Sequence, residues 1–282
     1  MAAQSSKPVL VVVGVGGMGQ IIARRQGAGK TVLLADFNEK TLNNVVDTLK
    51  GDGFDAHAQV VDVSKADSLA ALASAAAALG PVMQVAHTAG LSPTQASVAA
   101  ILAVDLVGVA QSLDTFGEVI APGGAGVVIA SMAGQTAPPL APEQEHALAA
   151  TPTAGLAGLD FASEPAVADP GQAYGLAKRA NQLRVAAASI AWGKRGARIN
   201  SISPGIISTP MGQQELAGES GGFMRAMIAA SGTGRIGTPE DIAAAASFLL
   251  SPDATFITGT DLLVDGGVIA ALRNGALQMP TA

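Results

Sequence analysis

Residues 11–25 read VVVGVGGMGQIIARR. Three valines run into Gly14, Gly16 and Gly19, and a stretch of helical composition follows. The apolar run predicts a buried strand, and the residues from about Gly17 predict a helix. Glycine at these three places serves three needs: a tight turn, backbone approach to a pyrophosphate, and close strand–helix contact. The helix that begins at Gly17 and Met18 offers free N–H groups and the positive end of its dipole to phosphates. A G-x-G-x-x-G between a strand and a helix is the setting in which this motif holds a dinucleotide.

The next apolar run, TVLLAD, ends on Asp36, 22 residues after Gly14. A carboxylate there accepts both ribose hydroxyls of an adenosine, and it repels a 2′-phosphate. Beyond Asp36 and Phe37 no Arg or Lys follows until Lys40. NAD(H) is therefore expected in preference to NADP(H).

The same pattern repeats along the chain. PVLVVV, TVLLAD, AQVVDV, VMQVAH, GVVIAS, ARINSI and DLLVDG each read as a strand buried on both faces. Segments such as EKTLNNVVDTLKG and KADSLAALASAAAALG between them read as helices. Strand and helix in alternation predict right-handed crossovers and a parallel sheet with helices on both faces. One Rossmann-type, doubly wound α/β domain of about seven strands is expected over residues 1–282.

Composition narrows the function. Hydrophobic residues make up 49% of the 282, enough for a sizeable core. A net charge of -6 without basic clusters argues against a nucleic-acid partner. With no cysteine, disulfides and thiolate chemistry are excluded. His57, His87 and His146 lack metal-ligand spacing, so no metal is expected. MAAQSSKPVLVVVG has no signal-peptide pattern, and no stretch is read as a membrane span. A soluble cytoplasmic protein is expected.

AYGLAKR, residues 173–179, places Tyr174 and Lys178 one turn apart on a helix face. Y-x-x-x-K alone is common, and its meaning depends on its surroundings. Those surroundings resemble the short-chain dehydrogenase/reductase family over nearly the whole chain. VDVS, residues 61–64, resembles the family's adenine-contacting turn, with Asp62 and Val63 in it. HTAG, residues 87–90, takes the place of the N-A-G motif and brings Thr88, Ala89 and Gly90 to the cofactor. VVIASMAG resembles the fifth strand, with Ser131 in the catalytic position. RINSISPGIISTPM resembles the segment that holds the nicotinamide amide, a role this carries to Pro204, Gly205, Ile207 and Thr209. The stretch RIGTPEDIAAAASFLLSPDATFITGTDLLVDGG resembles the C-terminal helix and last strand.

The resemblance implies hydride transfer between an alcohol carbon and the nicotinamide, with Tyr174 as acid/base. Ser131 would fix the substrate oxygen, and Lys178 would hold the nicotinamide ribose. A tyrosine with pKa near 10 is only about 0.1% ionised at pH 7. Lowering it by roughly 2 to 3 units takes about 3 to 4 kcal/mol. One positive charge at about 4 Å in an effective dielectric near 20 supplies about 4 kcal/mol, so Lys178 is the right size for the task. A homodimer or homotetramer built from helices near residues 95–117 and 172–193 is also implied. Two rival readings stand beside this one: an NADPH-dependent 3-oxoacyl-thioester reductase, and a catalytically silent nucleotide-binding homologue.

Four departures from the family pattern carry expectations of their own. The glycine loop begins Val13-Gly14 and lacks the threonine that braces it in relatives. His87 and Thr88 replace two asparagines and are read as local packing changes. In ILAVDLVGV, Asp105 stands where relatives carry a catalytic Asn. At about 6 Å its charge would oppose Lys178 by roughly 3 kcal/mol, moving the activity optimum to higher pH. Finally, Ser131 and Tyr174 are separated by a long Pro/Ala-rich insertion at about 135–171. Within it PEQEHALAA predicts a short helix with Pro142 in its first turn. Its ends are anchored beside catalytic residues, so it is expected at the substrate mouth, with Leu140, Leu148, Leu156 and Phe161 as lining. Phe223, Met224 and Met227 in the glycine-rich stretch after Met211 are candidate lining of a mobile lid. The tail, 268–282, is read as packing across a subunit boundary or fraying.

Overall fold

The computed structural model describes residues 7–277. Its strands are β1 Val9–Val13, β2 Thr31–Asp36, β3 Asp55–Val60, β4 Val82–His87, β5 Ile120–Ile129, β6 Arg198–Pro204 and β7 Asp261–Val264. They form one sheet in the order β3-β2-β1-β4-β5-β6-β7, and every pairing is parallel. Beside shorter helical turns, the helices are α1 Gly17–Gln26, α2 Glu39–Gly51, α3 Ala66–Leu79, α4 Val98–Val119, α5 Pro142–Ala150, α6 Pro170–Lys194, α7 Pro210–Ala217, α8 Gly221–Ala230, α9 Pro239–Leu250 and α10 Val268–Arg273.

β1 shows why the central strands read as unbroken apolar runs. Val9, Val11 and Val13 face a core with Leu113, Phe116 and Trp192, while Leu10 and Val12 face another with Ile22, Leu42 and Leu249. Helices cover both faces, so neither set of side chains meets water. The edge strands differ from the sequence reading. β3 comprises DAHAQV and begins three residues before the stretch read as strand; only Ala56 is buried, and Ala58 and Val60 on the same face are exposed. β7 is only half-buried along its length. An edge strand is covered less completely than a central one, so it need not be a continuous apolar run.

α4 corrects the membrane reading of the sequence. It is long and apolar enough to cross a bilayer. Half of it is instead buried within the fold, where Ile101, Leu106, Leu113 and Phe116 are in the core. Its middle, Leu102–Gly108, is π-helical. Such a segment re-aims side chains relative to a regular α-helix and recurs at functional sites.

The insertion is not a wall of the substrate mouth. Leu148 and Leu156 are fully buried against Ile101, Leu106, Ala177 and Ala180 of α4 and α6, and Leu140 and Phe161 pack on the same cluster. The insertion thus overlies the α4–α6 helix face. Polar rivets from α6 fix it there. Arg179 binds Glu145 at 2.6 Å. Arg184 donates to the carbonyls of Leu148 and Thr151 and to Thr153 Oγ1, at 3.0, 2.9 and 3.1 Å. Arg184→Met leaves these three acceptors without their donor. It is expected to cost about 3 kcal/mol of stability, read by denaturant unfolding, and to open residues 151–167 to limited proteolysis.

Candidate active site

The order of strands reverses between β1 and β4, and the segments that follow their C-terminal ends leave the sheet in different directions of the strand order. Ligands of open α/β sheets bind in the crevice at such a point. Here it is a groove of about 700 Å³ lined by Gly14, Gly16, Gly17, Met18, Gly19, Asp36, Phe37, Asp62, Val63, Thr88, Ala89, Gly90 and Thr209. Gly14 has φ +89°, and a Cβ on it would lie 2.5 Å from Ala89 N. A Cβ on Gly19 would lie 1.9 Å from the Gly14 carbonyl, whereas one on Gly16 would meet nothing within 4 Å. The loop is thus closed behind and open toward the groove, as a pyrophosphate seat requires. Thr88 is more than a packing change. Its hydroxyl donates to the Gly14 carbonyl at 2.6 Å and braces the loop that lacks its usual threonine. Asp36 is fixed by N–H groups of Val15 and Asn38, each at 2.8 Å, and Phe37 is 74% exposed beside it. These residues fit a dinucleotide with its adenosine ribose at Asp36.

A second cavity of about 380 Å³ adjoins this groove and shares Met18, Thr88, Gly90, Met211 and Thr209 with it. Ser131, Tyr174, Lys178 and Asp105 line it together with Pro204, Gly205 and Ile207. Ser131 follows β5, where Ala133 N–H donates to its Oγ at 3.1 Å. α6 starts at Pro170 under an Asp169 cap and carries Tyr174 and Lys178 inward. The Lys178 ammonium lies 5.3 Å from the Tyr174 ring centroid.

Asp105 is nearer to Lys178 than the sequence reading supposed. The π-helical turn brings its carboxylate, fully buried, to 3.0 Å from Lys178 Nζ. The other carboxylate oxygen accepts Leu91 N–H at 2.8 Å. Burial pushes the Asp105 carboxyl up from its ordinary value, against the pull of Lys178 and the Leu91 N–H. Loss of water is the largest single effect on the Lys178 ammonium and works against it, but the charge and hydrogen bond of Asp105, together with Tyr174, hold Lys178 up. His87, buried and paired with Ser112 Oγ at 2.9 Å, is driven down to about 3 by burial and stays neutral.

Tyr174 therefore departs from expectation: its phenol is pushed up, not down. Desolvation contributes most, Lys178 and Ser131 pull down, and Asp105 and Glu215 push up. A lysine paired at 3.0 Å presents a nearly neutral couple, so its field on the phenol is weakened. Asp105→Asn removes the opposing charge and should lower the Tyr174 pKa. Where this tyrosine is the base of an alcohol oxidation it must be ionised, so the alkaline rise in rate should then move to lower pH by about 1 to 2 units. Rate profiles of both proteins over pH check this, and superimposable profiles would refute it.

The mouth of the second cavity is formed by α7 and α8. Phe223, Met224 and Met227 line it, and Met227 also packs on Ile206 and Val268. The start of the tail thus forms α10 and packs beneath its own chain, while residues 278–282 lie outside the described part. Of the insertion, only its ends, Thr136 and Gly171, reach this cavity. Sequence reasoning missed Leu91, Ser92, Met132 and Glu215. Glu215 lay within a stretch already read as a lid, but no spacing told which residue of it faces inward.

Comparison with known proteins agrees with this geometry. A family described as short chain dehydrogenase matches residues 7–143, and one described as enoyl-(acyl carrier protein) reductase matches residues 143–269. The short-chain dehydrogenase/reductase bsc3 of Alternaria brassicicola is 42% identical, covering 95% of this chain and 97% of its own. D-threitol dehydrogenase of Mycolicibacterium smegmatis is 30% identical, covering 93% and 92%. Among solved structures, a short-chain dehydrogenase/reductase from Brucella melitensis, titled glucose/ribitol dehydrogenase, superimposes with a TM-score of 0.74 at 24% identity, covering 95% and 99%. An actinorhodin polyketide ketoreductase with NADPH gives 0.72 at 23%, covering 95% and 99%. These two show the same fold.

Proposed function

Since this chain belongs to the short-chain dehydrogenase/reductase family, we propose that it interconverts a secondary alcohol and a ketone on a small or apolar substrate, using NAD(H). The observation that carries this reading is the junction of two cavities, one floored by glycines and ending at Asp36, the other holding Ser131, Tyr174 and Lys178. When bound, the nicotinamide supplies or accepts the hydride. Tyr174 takes the hydroxyl proton in oxidation and returns it in reduction. Ser131 orients the substrate oxygen toward it. Lys178, held by Asp105, stands ready for the nicotinamide ribose, and Pro204, Gly205, Ile207 and Thr209 line the place for its amide. Leu91, Met132, Ile206 and Phe223 make the substrate walls largely apolar.

Asp36 favours NAD(H) over NADP(H), because its carboxylate suits ribose hydroxyls and repels a 2′-phosphate. Self-association through the α4–α6 face would involve the insertion that overlies it. The test is consumption of NADH and of NADPH over a panel of ketones. NADH-dependent reduction is expected. A preference for NADPH with thioester substrates would replace this reading by the 3-oxoacyl reductase. Tight nucleotide binding with no turnover would favour a silent homologue.

A further inference from the structure

Glu215 is the charged group of the substrate cavity that the proton chemistry leaves unused. The lining contains, among the described residues, two carboxylates and one cation. Asp105 and Lys178 are 3.0 Å apart and answer each other. Glu215 is left without a cation. It is no stray surface acid, since it is half-buried in α7 and held from the opposite side of the mouth. The hydroxyl of Ser92, itself fully buried, donates to its Oε1 at 2.6 Å. Thr94 Oγ1 lies 2.9 Å from the same hydroxyl, which has only one proton to give and so accepts from Thr94. The carboxylate is therefore oriented by a relay of two hydroxyls, and Oε2 has no donor among the described residues. Its charge is felt at Tyr174. Met132, Ile206 and Phe223 line the same cavity and offer a substrate no competing charge.

We propose that Glu215 is a specificity-determining residue that selects an alcohol or ketone carrying a protonated amine remote from the reacting carbon, and rejects anionic substrates. The proposal rests on the oxidoreductase reading and deepens it. An ammonium both neutralises the carboxylate and donates to its free oxygen, and charge-assisted hydrogen bonds are the strong ones. A neutral hydroxyl satisfies the second need only. An apolar body with one cationic end matches the apolar walls and the single uncompensated carboxylate.

Four ketones of one ring size separate these cases: 1-methyl-4-piperidone, 4-methylcyclohexanone, 4-hydroxy-4-methylcyclohexanone, whose tertiary hydroxyl cannot be oxidised, and 4-oxocyclohexanecarboxylate. Their dissociation constants are measured by titration calorimetry at neutral pH on the NAD-saturated protein, where ketone reduction cannot proceed. The amine is expected to bind at least about 10-fold tighter than the methyl ketone, and the carboxylate at least about 10-fold weaker. In Glu215→Gln both gaps should shrink below about threefold, and Glu215→Asp should keep the order. Equal affinities, no measurable binding of the amine, a hydroxyl ketone that binds tighter than the amine, or gaps that survive Glu215→Gln would each overturn the proposal. NADH consumption with the same ketones reports on the oxidoreductase reading separately. If that reading fails, turnover vanishes while the order of affinities stands. If the role of Glu215 fails, the order vanishes while turnover stands.

Discussion

Tyr174→Phe loses turnover by about 10³-fold or more, while nucleotide affinity stays within about threefold of the parent. The substitution deletes one oxygen and keeps the ring, which packs beside the buried cluster of α4, α6 and the insertion. Folding and the glycine-lined groove are therefore left as they were. What disappears is the group able to exchange a proton with the substrate oxygen. Positioned acid/base groups contribute about 10² to 10⁴ in rate, and no second titratable hydroxyl of comparable position lines the cavity beyond Ser131. With Tyr174 replaced, Ser131 keeps no histidine or other base among its hydrogen-bond partners to activate it. Steady-state kinetics beside a fluorescence titration with NADH make the measurement. A variant retaining more than about a tenth of the activity would remove Tyr174 from the mechanism.

Exchanging Asp36→Ser together with Phe37→Arg inverts the nucleotide preference, by about 10²-fold or more in the ratio of kcat/KM for NADH and NADPH. Asp36 does two jobs. It caps the backbone of Val15 and Asn38, and it presents negative charge where the adenosine ribose would lie. A unit charge at about 4 Å in a dielectric near 20 is worth about 4 kcal/mol, more than enough to exclude a phosphate. Serine preserves acceptor capacity for the loop and removes the repulsion. Arginine at the exposed neighbouring position supplies a phosphate partner. If the ratio of the double variant matched that of the parent, nucleotide choice would have to be made elsewhere in the groove.

Much of this was legible because the relevant signals are local. VVVGVGGMG names its own conformation, and the strands at the sheet centre are apolar throughout because both faces are covered. Where the signal depends on what lies across space, the reading failed. Nothing near Thr88 in sequence reveals that its hydroxyl reaches Gly14, 74 residues away. The π-helical turn that brings Asp105 against Lys178 shortens an expected 6 Å to 3.0 Å, and burial of the phenol, to which the Asp105 charge adds, pushes Tyr174 up where Lys178 alone would pull it down. The insertion has ends beside catalytic residues, which suggested a wall of the mouth. Its course is instead decided by Arg179 and Arg184, whose partners could not be known in advance. Glu215 needed both α7 and the Ser92 turn in place before it meant anything.

The reversal of strand order has a consequence for how the chain is made. β1 needs two neighbours, β2 and β4, and residues 14–81 must be synthesised before β4 begins. β2 and β3 can dock on one side early. The other edge of VLVVV stays open until residues 82–87 leave the ribosome. An uncharged, β-prone run with an unsatisfied edge is the kind of segment that pairs with the wrong chain. Parallel pairings closed over long loops are also slow to form. The hazard in biogenesis is thus concentrated in the very strand that later delivers the glycine loop to its ligand, and it ends when β4 docks.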